Sequence, residues 1–432
     1  MKLLRLFFLS VMGTVCAHEP IELTIAPQSC EPLQLRCIAE EAPQASRTRA
    51  VAHLVGQLLM AGRQFVVTVE SAAIPTAKND IAALAAQGIP LACFFTQDEQ
   101  AVSWRLYDVF AAQLLSGKKT GLDARSDVEL AIHIADQLWQ ELTSQKSAFC
   151  SLVAACKHVP GAGRLRRALC LIHPFLSVTD FAPVLLVDRG NNFAPRWHRM
   201  RPSVIFYSYH TPTNIRLMSI DTHYVKRVIT NFDGQNITPA IAADGTVVLA
   251  LSVHDAVQLF LYTFDQQTKK SLFTQLTHEK GDCVSPSFVT NDQVVFCHID
   301  TANRPRLGLL TLSTRTLTWL SVGATYCPMA NNAGTAIAYC KCTSGVNQLF
   351  VYDLANHRER QLTHDRGQKD ECSWSPCDNY IVCSVESGAT SRIARVDVAS
   401  GHIHFITPVG QNWSSPCWSP FLSLPFSFVK MR

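Results

Sequence analysis

The chain has 432 residues, 47% hydrophobic and 17% charged, a globular composition with room for two domains. A formal charge of +4 provides no strongly basic surface, which argues against nucleic acid as a partner. Beyond the N-terminus no apolar run is long enough to span a bilayer as a helix.

The first stretch, MKLLRLFFLSVMGTVCA, sets Lys2 and Arg5 before an apolar run, Leu6–Met12, and closes on Val15-Cys16-Ala17. This is the layout of a secretory signal peptide, with cleavage expected after Ala17. Its removal leaves a formal charge of +2 and fifteen cysteines. In an exported protein some of these are expected to pair, with Cys30 and Cys37 as a local candidate. Cys297, Cys340 and Cys383 sit in apolar strands, where core packing explains them as well as disulfides do.

His18–Thr24 is short and polar and reads as a flexible leader. After it, Arg47–Ala61 carries Val51, Leu54, Val55, Leu58 and Leu59 at helical spacing. Phe65–Val69 reads as a strand, Asn79–Gln87 as a helix stopped by Gly88, and Ile89–Phe95 as a second strand. Val102–Leu115 alternates as two strands or one bent strand, and Ser126–Leu142 is a capped amphipathic helix. Mixed helices and strands over this span predict a small α/β domain, 18–146, with no long linker after it.

From 147 onward the chain repeats. Taking a small anchor residue as ruler, the copies fall at Pro195, Pro239, Pro286, Pro328, Cys372 and Pro416, spaced 44, 47, 42, 44 and 44 residues. Each complete copy holds four short β runs separated by turns, the periodicity of a β-propeller blade. The copy at Pro416 has only a first strand, and the missing three are found upstream at Cys150–Cys156, Leu165–Ile172 and Pro183–Val187. The fold expected is therefore a small N-terminal α/β domain followed by a six-bladed β-propeller, 147–432, closed by the C-terminal strand.

Catalytic signatures do not emerge. There is no G-x-S-x-G, no H-E-x-x-H and no C-x-x-C; Gly161-Ala162-Gly163 lacks the G-K-[ST] ending of a phosphate loop and reads as a turn. No catalytic residue, metal or cofactor is assigned. The alternative kept open is a propeller that binds a small ligand, or acts as a hydrolase, through its central channel.

The order of signal peptide, α/β domain and six repeats carries further local matches, CSWSPCD at Cys372–Asp378 and PCWSPFL at Pro416–Leu422. In this the chain resembles the TolB family, periplasmic components of the Tol-Pal envelope system. The resemblance spans the mature chain, and the residues after Pro420 run past the family's usual end as a loose tail. It implies a non-enzymatic periplasmic scaffold, monomeric and peripheral to membranes, that supports outer-membrane integrity and cell division. It further implies binding of a Pal-like lipoprotein across one propeller mouth. There, loops leading into the anchors are expected to present Asn192, Gln235, Asn236, Asp282, Val284, Tyr326, Asp370 and Trp413, with Tyr326 and Trp413 as anchoring aromatics. A TolA-like partner is implied for the N-terminal segment His18, Glu19, Pro20, Ile21, Glu22, Leu23 and Thr24.

Overall fold

A computed structural model describes residues 32–41, 46–74, 78–122, 126–160, 166–253, 255–265, 267, 270–320, 323–424 and 426. The signal sequence, the segment His18–Thr24, Cys30 and the turn 161–163 lie outside these residues. The chain divides into two compact units, 1–150 and 151–432.

The first unit is a five-stranded sheet: β1 (Leu33–Glu40), β2 (Phe65–Ala72), β3 (Leu91–Gln97), β4 (Ala101–Asp108) and β5 (Gln113–Gly121), in the order β2-β1-β3-β4-β5. β1 runs parallel to both β2 and β3, and β3 to β5 form an antiparallel meander. The helices are α1 (Ser46–Ala61), α2 (Lys78–Ala85) and α3 (Asp127–Thr143). α3 begins with a capping box: Ser126 accepts from the Glu129 backbone while the Glu129 carboxylate reaches back to the Ser126 N–H. α1 ends against α3 so closely that a Cβ on Gly62 would stand 2.3 Å from the Trp139 ring, which only glycine tolerates. The interior strand β1 was not anticipated. Leu35 and Cys37 are buried between the less buried Gln34 and Arg36, a period of two, and pairing with β2 and β3 uses both of its edges. Cys37 packs opposite Cys93 in that core.

The second unit consists of six four-stranded antiparallel groups. Four are separate sheets, and two are joined into one eight-stranded sheet by a single parallel contact between Arg167 and Asn191. The inner strands are Asn191–Trp197, Asn236–Ile241, Asp282–Phe288, Thr325–Ala330, Gln368–Trp374 and Trp413–Trp418. Each touches the next and the last touches the first, so they close a ring. One face of each blade buries apolar side chains against its neighbour; Phe288, Val294 and Phe296 pack on Ala242, Val248 and Leu259 in this way.

Closure is made by the C-terminal strand Trp413–Trp418, which pairs antiparallel with Val153–Val159. That supplies the inner strand of the blade whose other strands lie some 250 residues earlier, and it leaves no open inner edge. The stretch beyond Pro420 is not a loose tail throughout. Phe426 is 1% exposed, its ring packed 6.5 Å from His173 and 6.2 Å from Phe181. An aromatic side chain following the closing strand gains apolar burial by folding back onto the blade it has just completed. Among the described residues no helix is long and apolar enough to cross a membrane.

Candidate functional site

The anchors sit at a shared distortion. In each inner strand two residues leave the ladder between shifted registers: 194–195, 238–239, 285–286, 327–328, 371–372 and 415–416. The first residue of the pair is left-handed in Ala194 (φ 45°), Ser285 (53°), Cys327 (53°), Glu371 (49°) and Ser415 (54°). A bulge of this kind bends the strand and re-aims the flanking side chains, and its recurrence marks it as part of the blade design.

The bulge decides which candidate residues are presented. Seven of the eight predicted mouth residues lie on inner strands, and only Gln235 is in a connecting loop, where it is exposed. Three residues before the anchor stand Asn192, Asn236, Cys283, Thr325, Lys369 and Trp413, and all six are fully buried. Asn192 donates to the carbonyls of Arg167 (2.7 Å) and Arg189 (3.0 Å), and Asn236 to those of Ile215 (2.8 Å) and Phe232 (2.7 Å). These amides tie an inner strand to the blade before it. The expectation that Asn192, Asn236 and Trp413 line an accessible mouth is therefore corrected: they fill the space between blades. Trp413 packs there under the Lys157 ammonium, 5.6 Å from its ring, while its carbonyl accepts from Ser391 Oγ at 2.6 Å.

Half-buried positions remain. Val284, Tyr326 and Asp370 stand two residues before their anchors, and Asp282 opens its strand. Tyr326 donates its hydroxyl to Asn347 Oδ1, and burial pushes its phenol up to about 12. Asp282 Oδ1 accepts from the Val257 N–H at 2.7 Å. Asp370 Oδ1 accepts from the Glu371 N–H at 2.8 Å and from the Cys327 thiol at 3.2 Å.

Sequence reasoning missed the bulge residues themselves. Glu371 accepts from Ser415 Oγ at 2.9 Å, which links neighbouring inner strands. Burial and the adjacent Asp370 charge push its carboxyl upward, against the opposing pull of Ser415 and Arg196. Because the folded state holds this proton more tightly than the unfolded chain, Glu371 costs stability as pH rises from the ordinary carboxyl range through its elevated folded value. Glu371→Gln is accordingly expected to raise the urea midpoint at about pH 8 and to leave it unchanged near pH 3.5, where both states are protonated.

Past the anchors the ring is held by indoles. Trp197 donates to the Cys417 carbonyl at 3.1 Å, Trp374 to the Met329 carbonyl at 2.9 Å and Trp418 to Ser151 Oγ at 2.8 Å. Between them is a cavity of about 130 Å³ lined by Arg196, Arg199, Ser373 and these tryptophans among others. Among the described residues its lining includes serines and Cys417 but no Asp, Glu or His.

Comparison with known proteins follows this geometry. The TolB beta propeller domain family matches residues 140–422. The crystal structure of TolB from Acinetobacter baumannii superposes with a TM-score of 0.75 at 17% identity, covering 90% of this chain and 97% of that one. Hydrazine synthase of Kuenenia stuttgartiensis gives a TM-score of 0.51 at 10% identity, covering 63% of this chain and 47% of that one. These likenesses speak to the fold, which an enzyme also carries. With a family match over the larger part of its length, the chain belongs to the TolB beta propeller family.

Proposed function

We propose that this protein is a non-enzymatic periplasmic scaffold of the Tol-Pal type, serving outer-membrane integrity and cell division. In this reading residues 1–17 are a cleaved signal peptide, 18–146 the N-terminal domain and 147–432 the propeller. A Pal-like lipoprotein binds one propeller mouth, and a TolA-like inner-membrane protein takes the segment His18–Thr24. The mature protein is monomeric and peripheral to the membrane, and works without metal or cofactor. The observation that carries the reading is membership of the TolB family together with a two-domain likeness that runs nearly end to end in both chains.

On the propeller, the accessible candidates are Gln235, Asp282, Val284, Tyr326 and Asp370. Tyr326 combines a large ring with a polar tip, the residue type that dominates interface energetics. Affinity capture from envelope extract should recover a Pal-like lipoprotein on the mature chain. A Tyr326→Ala, Asp370→Ala double variant should weaken that recovery by tenfold or more. Deletion of residues 18–24 should abolish TolA-like binding while sparing the lipoprotein. Recovery of neither partner by a folded wild-type chain would remove the scaffold reading and turn attention to the cavity beside Trp374.

A further inference from the structure

All six blades contribute to the cavity of about 130 Å³ past the anchors. The residue after each anchor, Arg196, Ala240, Ser287, Met329, Ser373 and Cys417, lines it, which places it on the axis of the ring. Arg196 is the one charge in that layer, and Arg199 is the other charge in the lining. Arg199 crosses the axis. Its Nη2 donates at 3.1 Å to the carbonyl of Asn332, which holds the matching position three blades away. Both ends of that contact are fixed. His198 Nδ1 accepts from the N–H groups of Met200 and Arg201, each at 3.2 Å, and so shapes the turn that carries Arg199. Asn332 donates its backbone N–H and its side-chain amide to Asp378 Oδ1, at 2.9 and 2.8 Å.

The donors here outnumber their acceptors. A guanidinium carries five N–H groups. Arg196 spends Nη1 on the Pro195 carbonyl at 2.9 Å, and among the described residues neither arginine makes a further hydrogen bond or an ion pair. Ser373, 4% exposed, accepts the Trp418 N–H at 2.9 Å, while its own proton has only Cys417 Sγ at 4.0 Å. The neighbouring carboxyls are engaged elsewhere. Asp378 also accepts the Ala333 N–H at 2.9 Å; Glu371, which feels the Arg196 charge, is bonded to Ser415 and pushed by burial toward its neutral form. Two half-buried cations of one sign, between walls of proline, tryptophan and phenylalanine, focus their field on the axis.

We propose that this axial cavity binds a small oxyanion, of the size of phosphate, between Arg196 and Arg199 with Ser373 as a third donor. The guanidinium fork matches the paired oxygens of a phosphate or a carboxylate. The volume is below the roughly 300 Å³ at which drug-sized ligands begin to fit, so a nucleotide or a lipid chain is too large. The bound anion links residues of two blades, and a third through Asn332, so occupancy stabilises the ring. The site lies past the anchors, whereas Asp282, Tyr326 and Asp370 precede them. It is therefore separate from the mouth assigned to the lipoprotein.

The test uses the full mature chain in chloride buffer, titrated with sodium phosphate and separately with sodium malonate. Calorimetry is expected to give one site per chain, and the thermal midpoint should rise to a plateau with the anion that binds. Binding of phosphate alone identifies a tetrahedral ligand, and binding of malonate a carboxylate one. Arg196→Met and Arg199→Asn introduce the residues that the opposite blade already uses at these positions, Met329 and Asn332, which keeps both variants in a foldable background. Each should weaken binding about tenfold or more, the loss expected for a hydrogen bond to a charged group. Arg201→Gln, exposed and outside the lining, should bind as the wild type does. Neither heat nor a midpoint change with either anion overturns the proposal, as does equal affinity in the wild type and both cavity variants. The same midpoint rise with sodium chloride at matched ionic strength also overturns it.

Discussion

Trp413→Ala is expected to lower the unfolding free energy by about 3–5 kcal/mol, the range for removing a buried aromatic side chain. The indole is fully buried at the start of the closing strand, so the cavity left behind opens beside the strand pairing that joins the two ends of the ring. Lys157 would lose the ring face that its ammonium covers, which adds to the cost. Urea unfolding monitored by fluorescence and circular dichroism measures the effect. The same variant should leave lipoprotein affinity per folded molecule unchanged, because no part of the side chain reaches the surface. A loss of affinity with wild-type stability would return Trp413 to the interface.

Asp365→Ala is expected to cost about 2–3 kcal/mol, at or below the lower end of the range for orphaning a buried charge. Lys369 is the fifth of the six residues that stand three before an anchor, 0% exposed, with its ammonium held by the Asp365 carboxylate and by the Gly367 carbonyl at 2.7 Å. The carboxylate is 41% exposed, which reduces the cost of losing it, but the ammonium it leaves behind has no access to water. Adding Lys369→Met to Asp365→Ala should recover most of the loss, since the equivalent site in the closing strand already accepts a tryptophan. Urea midpoints of the two single variants and the double give the coupling directly. A double variant no more stable than Asp365→Ala alone would show that the ammonium is not the source of the penalty.

Both results turn on one position whose meaning changes between sequence and structure. Read along the chain, Asn192, Asn236 and Trp413 precede each anchor where a loop is expected, and their polar or amphipathic character suits a binding mouth. In the folded ring the inner strands begin earlier and these side chains are enclosed by the preceding blade. The bulge residues were equally hidden, because a left-handed backbone at Cys327, Glu371 or Ser415 leaves no trace in residue type. Glu371 becomes a site of interest only when the bulge brings it to Ser415, 44 residues away.

The sequence by itself determined the blade count, the order of the strands within each blade and the closure by Pro416–Trp418. Alternating apolar runs and turn residues at a 44-residue spacing are local signals, and each blade repeats them. It also determined that helices and strands mix ahead of the repeats, through helices whose apolar stripes are set by near neighbours. Only the tertiary structure decided which polar residues remain accessible and that Phe426 is enclosed. In a propeller the surroundings of an inner-strand side chain are made by the next blade, tens of residues distant along the chain. Burial there is a property of the closed ring, not of any segment within it.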